Sequence, residues 1–196
     1  MIVMIAKGMA YASAICIYAG MAFSFYRQRV RPGPQLLRQE HWITRMMVLH
    51  ALTFWAALHY GALPWSPPTR CLGSALVLAG AIFNIWGRWE LGSMWSHQAA
   101  LFESHRLKTA GAYAVVRHPL YASQVWMYLG ATLVFQEITG LLVTLGLFLP
   151  LLAYRCRQEE ALLHQAFPDY RKYCGRTGRL FPLLWPPSLL GLRGVQ

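Results

Sequence analysis

Two short stretches of this sequence carry side chains suited to holding an anion and orienting a reaction. The first runs Ala114-Val115-Val116-Arg117-His118-Pro119-Leu120-Tyr121. A proline is tolerated in the first turn of a helix, so Pro119 can open one. The unpaired N–H groups of a helix opening favour negative charge, and Arg117 and His118 would stand beside them, facing a carboxylate from water. The simpler use of the same residues is snorkelling by Arg117 and capping by His118, and physics alone favours it. The second stretch is Arg155-Cys156-Arg157-Gln158-Glu159-Glu160. Arg155 and Glu159 are four apart and share a helical face. An arginine fork suits a carboxylate, and a glutamate suits ribose hydroxyls or an amino group. A solvated ion pair at a helix end is the plainer expectation for this stretch taken alone.

The elements that must position these residues follow from composition. Of 196 residues, 56% are apolar or aromatic and only 13% are charged, against roughly 25% charged in ordinary globular chains. Such a chain has too little polar surface to coat a water-facing globule, and the lipid bilayer is the expected solvent. A spanning helix needs about 20 mainly apolar residues. Five stretches qualify or come close: 4–26, 46–63, 71–89, 119–135 and 138–154. The fold class expected is therefore an all-α integral membrane protein of five transmembrane helices. Only Gln136-Glu137 separates the last two, which predicts a tight helical hairpin. Pro64, Pro67 and Pro68 are expected to close the second helix and part it from the third. The apolar run from the N-terminus continues past Ala12-Ser13-Ala14 to Phe25, longer than a signal-peptide core, and reads as an uncleaved helix.

Charge sets the orientation. Lys7 and Arg70 lie in the N-terminal region and the short links, and the other 16 of 18 basic residues lie in the remaining links and tail. The positive-inside rule then places the N-terminus outside and the C-terminus in the cytoplasm, in a multi-pass protein. The net charge of +11 lies between apolar runs and not on a polar domain. Anionic headgroups or an anionic substrate, and no nucleic acid, are the expected partners. The four cysteines, Cys16, Cys71, Cys156 and Cys174, form no CxxC pair and are expected as free thiols. His41, His50 and His59 are spaced nine apart, face opposite sides of a helix and cannot share a metal, so no metal site is expected. GxGxxG, P-loop, HExxH and GxSxG motifs do not occur. The stretch 98–113 is long for a connection without structure of its own and can fold over a ligand. Trp86, Trp89 and Trp95 before it are expected as interfacial anchors. Phe167-Pro168-Asp169-Tyr170-Arg171-Lys172-Tyr173 reads as a broken amphipathic helix lying on the membrane surface.

In this order, three features resemble the isoprenylcysteine carboxyl methyltransferase family and its wider relatives among membrane methyltransferases. They are Leu107-Lys108-Thr109-Ala110-Gly111-Ala112-Tyr113, then Arg117-His118-Pro119-Leu120-Tyr121, then Glu159-Glu160 followed by Phe167, Tyr170, Tyr173 and Phe181-Pro182. The likeness divides one domain, 1–196, into less diagnostic helices (1–94), a cofactor-binding half (95–182) and an interfacial tail (183–196). It implies a cytoplasmic pocket for S-adenosyl-L-methionine, contacted at Gln98, at His105, Arg106, Leu107 and Lys108, at Tyr113, at His118, Pro119, Leu120 and Tyr121, and at Glu159. It implies that Arg155 meets the substrate. Arg155 and Glu159 are the expected catalytic pair, and Arg155, Glu160 and Arg176 the expected acceptor contacts. Ser123 stands where the family usually has glycine, which predicts looser packing of the fourth helix there.

Methyl transfer from a sulfonium is an in-line displacement that mainly requires alignment. A carboxylate nucleophile, with an α-carboxyl reference pKa near 3.5, is ionised at neutral pH and needs no base. The expected acceptor is lipophilic, the carboxylate of a prenylcysteine or an analogous small molecule. Phospholipid amine N-methylation, an NADPH-dependent sterol-reductase-like chemistry and a non-catalytic membrane scaffold stay open, as does the oligomeric state.

Overall fold

The computed structural model describes residues 35–38, 41–58, 67–92, 100–102 and 107–182, with helical residues scattered among the first 19. Strand β1 (Gln35–Arg38) precedes helices α1 (His41–Ala57) and α2 (Pro67–Leu91), and strand β2 (Ala100–Phe102) follows them. Next come the short helix α3 (Ala112–Val115), α4 (Pro119–Phe135), the long helix α5 (Ile138–Ala166) and the short α6 (Tyr170–Cys174). The architecture is helical, with one two-stranded antiparallel ribbon that the sequence had not suggested: Gln35 pairs with Phe102 and Arg38 with Ala100. That ribbon joins the two links that charge assigns to one side of the membrane.

Among the described residues, two helices, Pro67–Leu91 and Ile138–Ala166, are long and apolar enough to cross a membrane; most of the expected first span, 4–26, lies outside those residues. In α5 the apolar stretch ends at Tyr154, and the helix continues through charged residues to Ala166. Leu72, Leu78, Ile82 and Ile85 on α2 and Leu142 and Leu145 on α5 are exposed, an apolar coat suited to lipid and not to water. Pro67 and Pro68 do not merely separate helices, as expected, but form the first turn of α2, where a missing N–H costs nothing. Helix α1 starts at His41, five residues ahead of the expected span, because hydropathy marks the apolar window and not the polar turn that leads into it.

Among the described helices, α2 and α4 pack against each other most extensively. Gly73, Gly80 and Gly87 recur every seven residues on α2, the spacing that keeps one seam on one partner. A side-chain carbon on Gly73 would lie 2.7 Å from the Gly130 carbonyl oxygen, and one on Gly80 would lie 2.9 Å from that of Ser123. Ser123 therefore does not loosen the contact. Its hydroxyl donates to Leu120 O at 2.7 Å and accepts from Asn84 Nδ2 at 2.7 Å, fully buried. The close approach that a glycine at 123 would allow is supplied from the other side, by Gly80.

The hairpin between α4 and α5 turns on two residues. Gln136 adopts φ 61°, the left-handed region, and its side-chain oxygen accepts from Arg70; Glu137 N–H returns to Thr132 O at 3.1 Å. Within α5, residues Thr144–Phe148 form a π-helical turn. Pro150 lacks an N–H and crowds the carbonyl four residues before it, and the widened turn absorbs that conflict. Across the hairpin Val125 packs with Phe148, Leu152 and Cys156, and Phe148 stacks on the His50 ring, with centroids 4.6 Å apart.

Candidate active site

The antiparallel hairpin brings the opening of α4 beside the end of the apolar stretch of α5. His118 occupies the N-cap position of α4 but makes no side-chain cap. Its ring instead lies between two carboxylates, Nδ1 at 3.5 Å from Glu159 Oε2 and Nε2 at 3.3 Å from Glu160 Oε1. Arg155, 4% exposed, donates from Nε to the Tyr121 hydroxyl at 2.5 Å and to Glu159 Oε1 at 3.1 Å. Tyr121 in turn donates to the same Glu159 oxygen at 2.5 Å, and its ring stacks on His118. Arg155, Tyr121, Glu159 and His118 thus form one connected cluster, and Arg155–Glu159 is a partly buried pair in place of the solvated one expected.

Arg117 does not snorkel. Its Nε donates to Glu160 at 3.0 Å and its Nη1 to Cys174 O at 3.2 Å and to Thr177 O. The backbone N–H groups of Arg117 and His118 donate to Gly178 O and Arg179 O, at 2.8 and 3.1 Å, around a parallel bridge between Val116 and Gly178. Arg179 closes on Glu160 through Nε at 3.0 Å to each oxygen, and through Nη2. Tyr113 is buried on α3, and its carbonyl accepts the Tyr173 hydroxyl at 2.5 Å. Tyr170, 1% exposed, and Tyr173 pack inward while Asp169, Arg171 and Lys172 stay exposed, so the segment expected as an amphipathic surface helix turns its aromatic face onto the protein itself.

Charge in this cluster is strongly coupled. Burial by itself would depress the His118 pKa, but hydrogen bonds to Glu159 and Glu160 outweigh it and hold the ring above its ordinary value. Burial would raise both carboxyls; His118 and Arg155 hold Glu159 low, and His118, Arg179 and Arg117 hold Glu160 low. With His118 charged, four cations (Arg117, His118, Arg155, Arg179) surround two anions, Glu159 and Glu160. The excess positive charge suits an anionic group arriving from outside.

Pro119 and Leu120 pack on Gly87 of α2, which fixes where α4 begins. Leu107 and Lys108 lie half-buried in the segment leading to α3. Gln98, His105 and Arg106 fall outside the described residues. Arg176 is exposed, with its backbone N–H on Tyr173 O. The cation that joins the cluster from the tail is Arg179, which the sequence had not singled out. Gly111 holds φ 61°, and a side-chain carbon there would meet the Glu90 carboxylate. Gly111→Ala is expected to strain the backbone at this positive φ and lower thermal stability by about 1–3 kcal/mol, read from the melting temperature of the purified protein; unchanged melting would exclude that constraint.

Residues 73–165 match the family described as isoprenylcysteine carboxyl methyltransferase. The match covers just under half of the chain and supports a place in that family. The matched segment contains α4, the hairpin, His118, Tyr121, Arg155, Glu159 and Glu160. The match and the apolar helices together support a membrane protein similar to a methyltransferase family. Among curated proteins the chain is 28% identical over 158 residues to a cobalt-zinc-cadmium resistance protein of Cupriavidus metallidurans, covering 76% of this chain and 66% of that one. It is 32% identical over 98 residues to a nickel-cobalt-cadmium resistance protein of Alcaligenes xylosoxydans, covering 48% and 45%. It is 28% identical over 101 residues to an uncharacterized protein of Haemophilus influenzae, covering 51% and 59%. The chain thus spans between about half and two thirds of the length of these relatives.

Proposed function

We propose that this protein transfers a methyl group from S-adenosyl-L-methionine to a lipophilic acceptor at the cytoplasmic face of a membrane. The observation that carries the reading is the junction of Arg155, Tyr121, Glu159 and His118 in one cluster, within the segment that matches a methyltransferase family. The donor set fits the group. Glu159 accepts from hydroxyl or ammonium, and the cationic excess beside the α4 opening suits a carboxylate. Glu159, Tyr113, Tyr121 and His118, with Gln98 and 105–108, would hold S-adenosyl-L-methionine, which when bound supplies an electrophilic methyl carbon.

The chain's own part is orientation. Arg155, fixed by Tyr121 and Glu159, directs an acceptor carboxylate; such a group is ionised at neutral pH and requires no proton removal. In our reading five spans put both ends of the 95–182 half in the cytoplasm, and the apolar part of the acceptor enters from lipid while the donor enters from water. The acceptor is the carboxylate of a prenylcysteine or an analogous small molecule. Two relatives are named for metal resistance. We read any such role here as indirect, through a methylated membrane molecule.

Calorimetry on detergent-purified protein tests the donor. S-adenosylhomocysteine is expected to bind and NADPH is not. Binding of NADPH alone would replace this reading with a reductase.

A further inference from the structure

Glu160 was expected to touch the acceptor, yet its carboxylate is already occupied by the chain itself. Oε1 receives Arg117 Nε at 3.0 Å, Arg179 Nε at 3.0 Å and His118 Nε2 at 3.3 Å; Oε2 receives Arg179 Nε at 3.0 Å and Arg179 Nη2. Its side chain is 8% exposed. The three partners come from different places: Arg117 and His118 from the turn before α4, and Arg179 from the tail 19 residues beyond Glu160. Arg117 then reaches back to Cys174 O and Thr177 O on the same tail.

We propose that Glu160 is a positioning residue: it locks the tail, 177–179, onto the Arg117–His118 turn and fixes the His118 ring so that Nδ1 faces Glu159. The proposal deepens the methyltransferase reading, since Glu159 is the donor-side carboxylate in it. A ring held through one nitrogen presents the other in a set direction, and only a charged ring donates from both. Glu160 therefore sets both the direction and the charge of the group that steadies Glu159. The groups facing His118 are Glu159 and Glu160 from α5, with Arg155 one turn earlier, the Tyr121 ring from α4, Arg117 beside it and Arg179 from the tail. Both carboxylates favour the charged ring and the arginines oppose it.

The sign of the pH dependence follows. Because the folded protein holds the His118 pKa up, the arrangement is complete below the ordinary histidine value of about 6.5 and is lost as pH rises through the raised one. Removing the Glu160 charge brings that loss to lower pH.

The test uses Glu160→Gln and Arg179→Gln in the full-length protein with ring-labelled histidine, His118 being assigned by the signal absent from His118→Gln. In Glu160→Gln the His118 titration is expected to fall by about one pH unit or more. Hydrogen exchange at 176–182 should rise about tenfold or more, and S-adenosylhomocysteine affinity should begin its alkaline decline at correspondingly lower pH. Arg179→Gln should speed the same exchange without lowering the His118 titration, because it leaves Glu160 charged. An unmoved His118 titration in Glu160→Gln, or unchanged tail exchange in both variants, would overturn the proposal. Titration and exchange require no donor, so failure of S-adenosylhomocysteine to bind the wild type would defeat the methyltransferase reading while leaving this one separately decided.

Discussion

Arg155→Lys is expected to cut methyl transfer roughly a hundredfold while leaving S-adenosylhomocysteine affinity within a few-fold of the wild type. Lysine keeps the positive charge but loses the planar fork. The Arg155 Nε sits at the meeting point of the Tyr121 hydroxyl and Glu159, and an ammonium cannot span both and still present a flat edge to a carboxylate. A misplacement of about 1 Å is enough for a loss of that size. Glu159 would remain ion-paired with His118, so donor binding should survive. Arg155→Ala is a poorer probe, because removing one member of a partly buried pair also destabilises the fold. The measurement is transfer of labelled methyl from S-adenosylmethionine into the lipid extract of membranes carrying each variant, beside calorimetry with S-adenosylhomocysteine. Equal loss of affinity and of transfer would move Arg155 from the acceptor to the donor. Full activity would remove it from the site.

What could be read from the residues themselves was the local part of this arrangement. Arg155 and Glu159 pair because four residues bring them to one face, and α4 begins at Pro119 because proline is at home in a first turn. Helix α4 ends at Phe135, and α5 starts at Ile138, as the two-residue link requires. The non-local part was not legible. Arg179 reaches Glu160 only after the chain has left α5, passed through α6 and reversed along the Val116–Gly178 bridge, and no periodicity announces such a return. His118 looked like a cap because its position is that of a cap; that its ring is drawn aside by two carboxylates depends on α5 lying alongside. The inward turn of Tyr170 and Tyr173 was missed for a related reason. A short stretch with alternating aromatic and basic residues reads as a surface helix until one knows that Tyr173 finds the Tyr113 carbonyl.

The seam between α2 and α4 should prove the least tolerant place in the fold, and Gly73→Leu the most damaging change in it. An added side-chain carbon at residue 73 would lie 2.7 Å from Gly130 O and 2.9 Å from Val134 N. Both are backbone atoms of a helix and cannot turn aside as a flexible side chain would, so the two helices must separate. Separation opens the contact along its length, including the Asn84–Ser123 hydrogen bond and the packing of Gly87 on Pro119. It would therefore shift the start of α4, where His118 is held. Overpacking a close contact costs about 1–3 kcal/mol or more, and small residues are what permit close helix approach in lipid. Gly73→Leu should thus lower the melting temperature of the detergent-solubilised protein and diminish S-adenosylhomocysteine binding, although residue 73 lies far along the helix from the site. Gly146→Leu is the control: among the described residues nothing lies within 4 Å of a carbon added there, and the position is exposed on α5. It should melt like the wild type. Equal stability of the two variants would mean that the helices do not meet at Gly73 and Gly130, and the path from this seam to His118 would be lost with it.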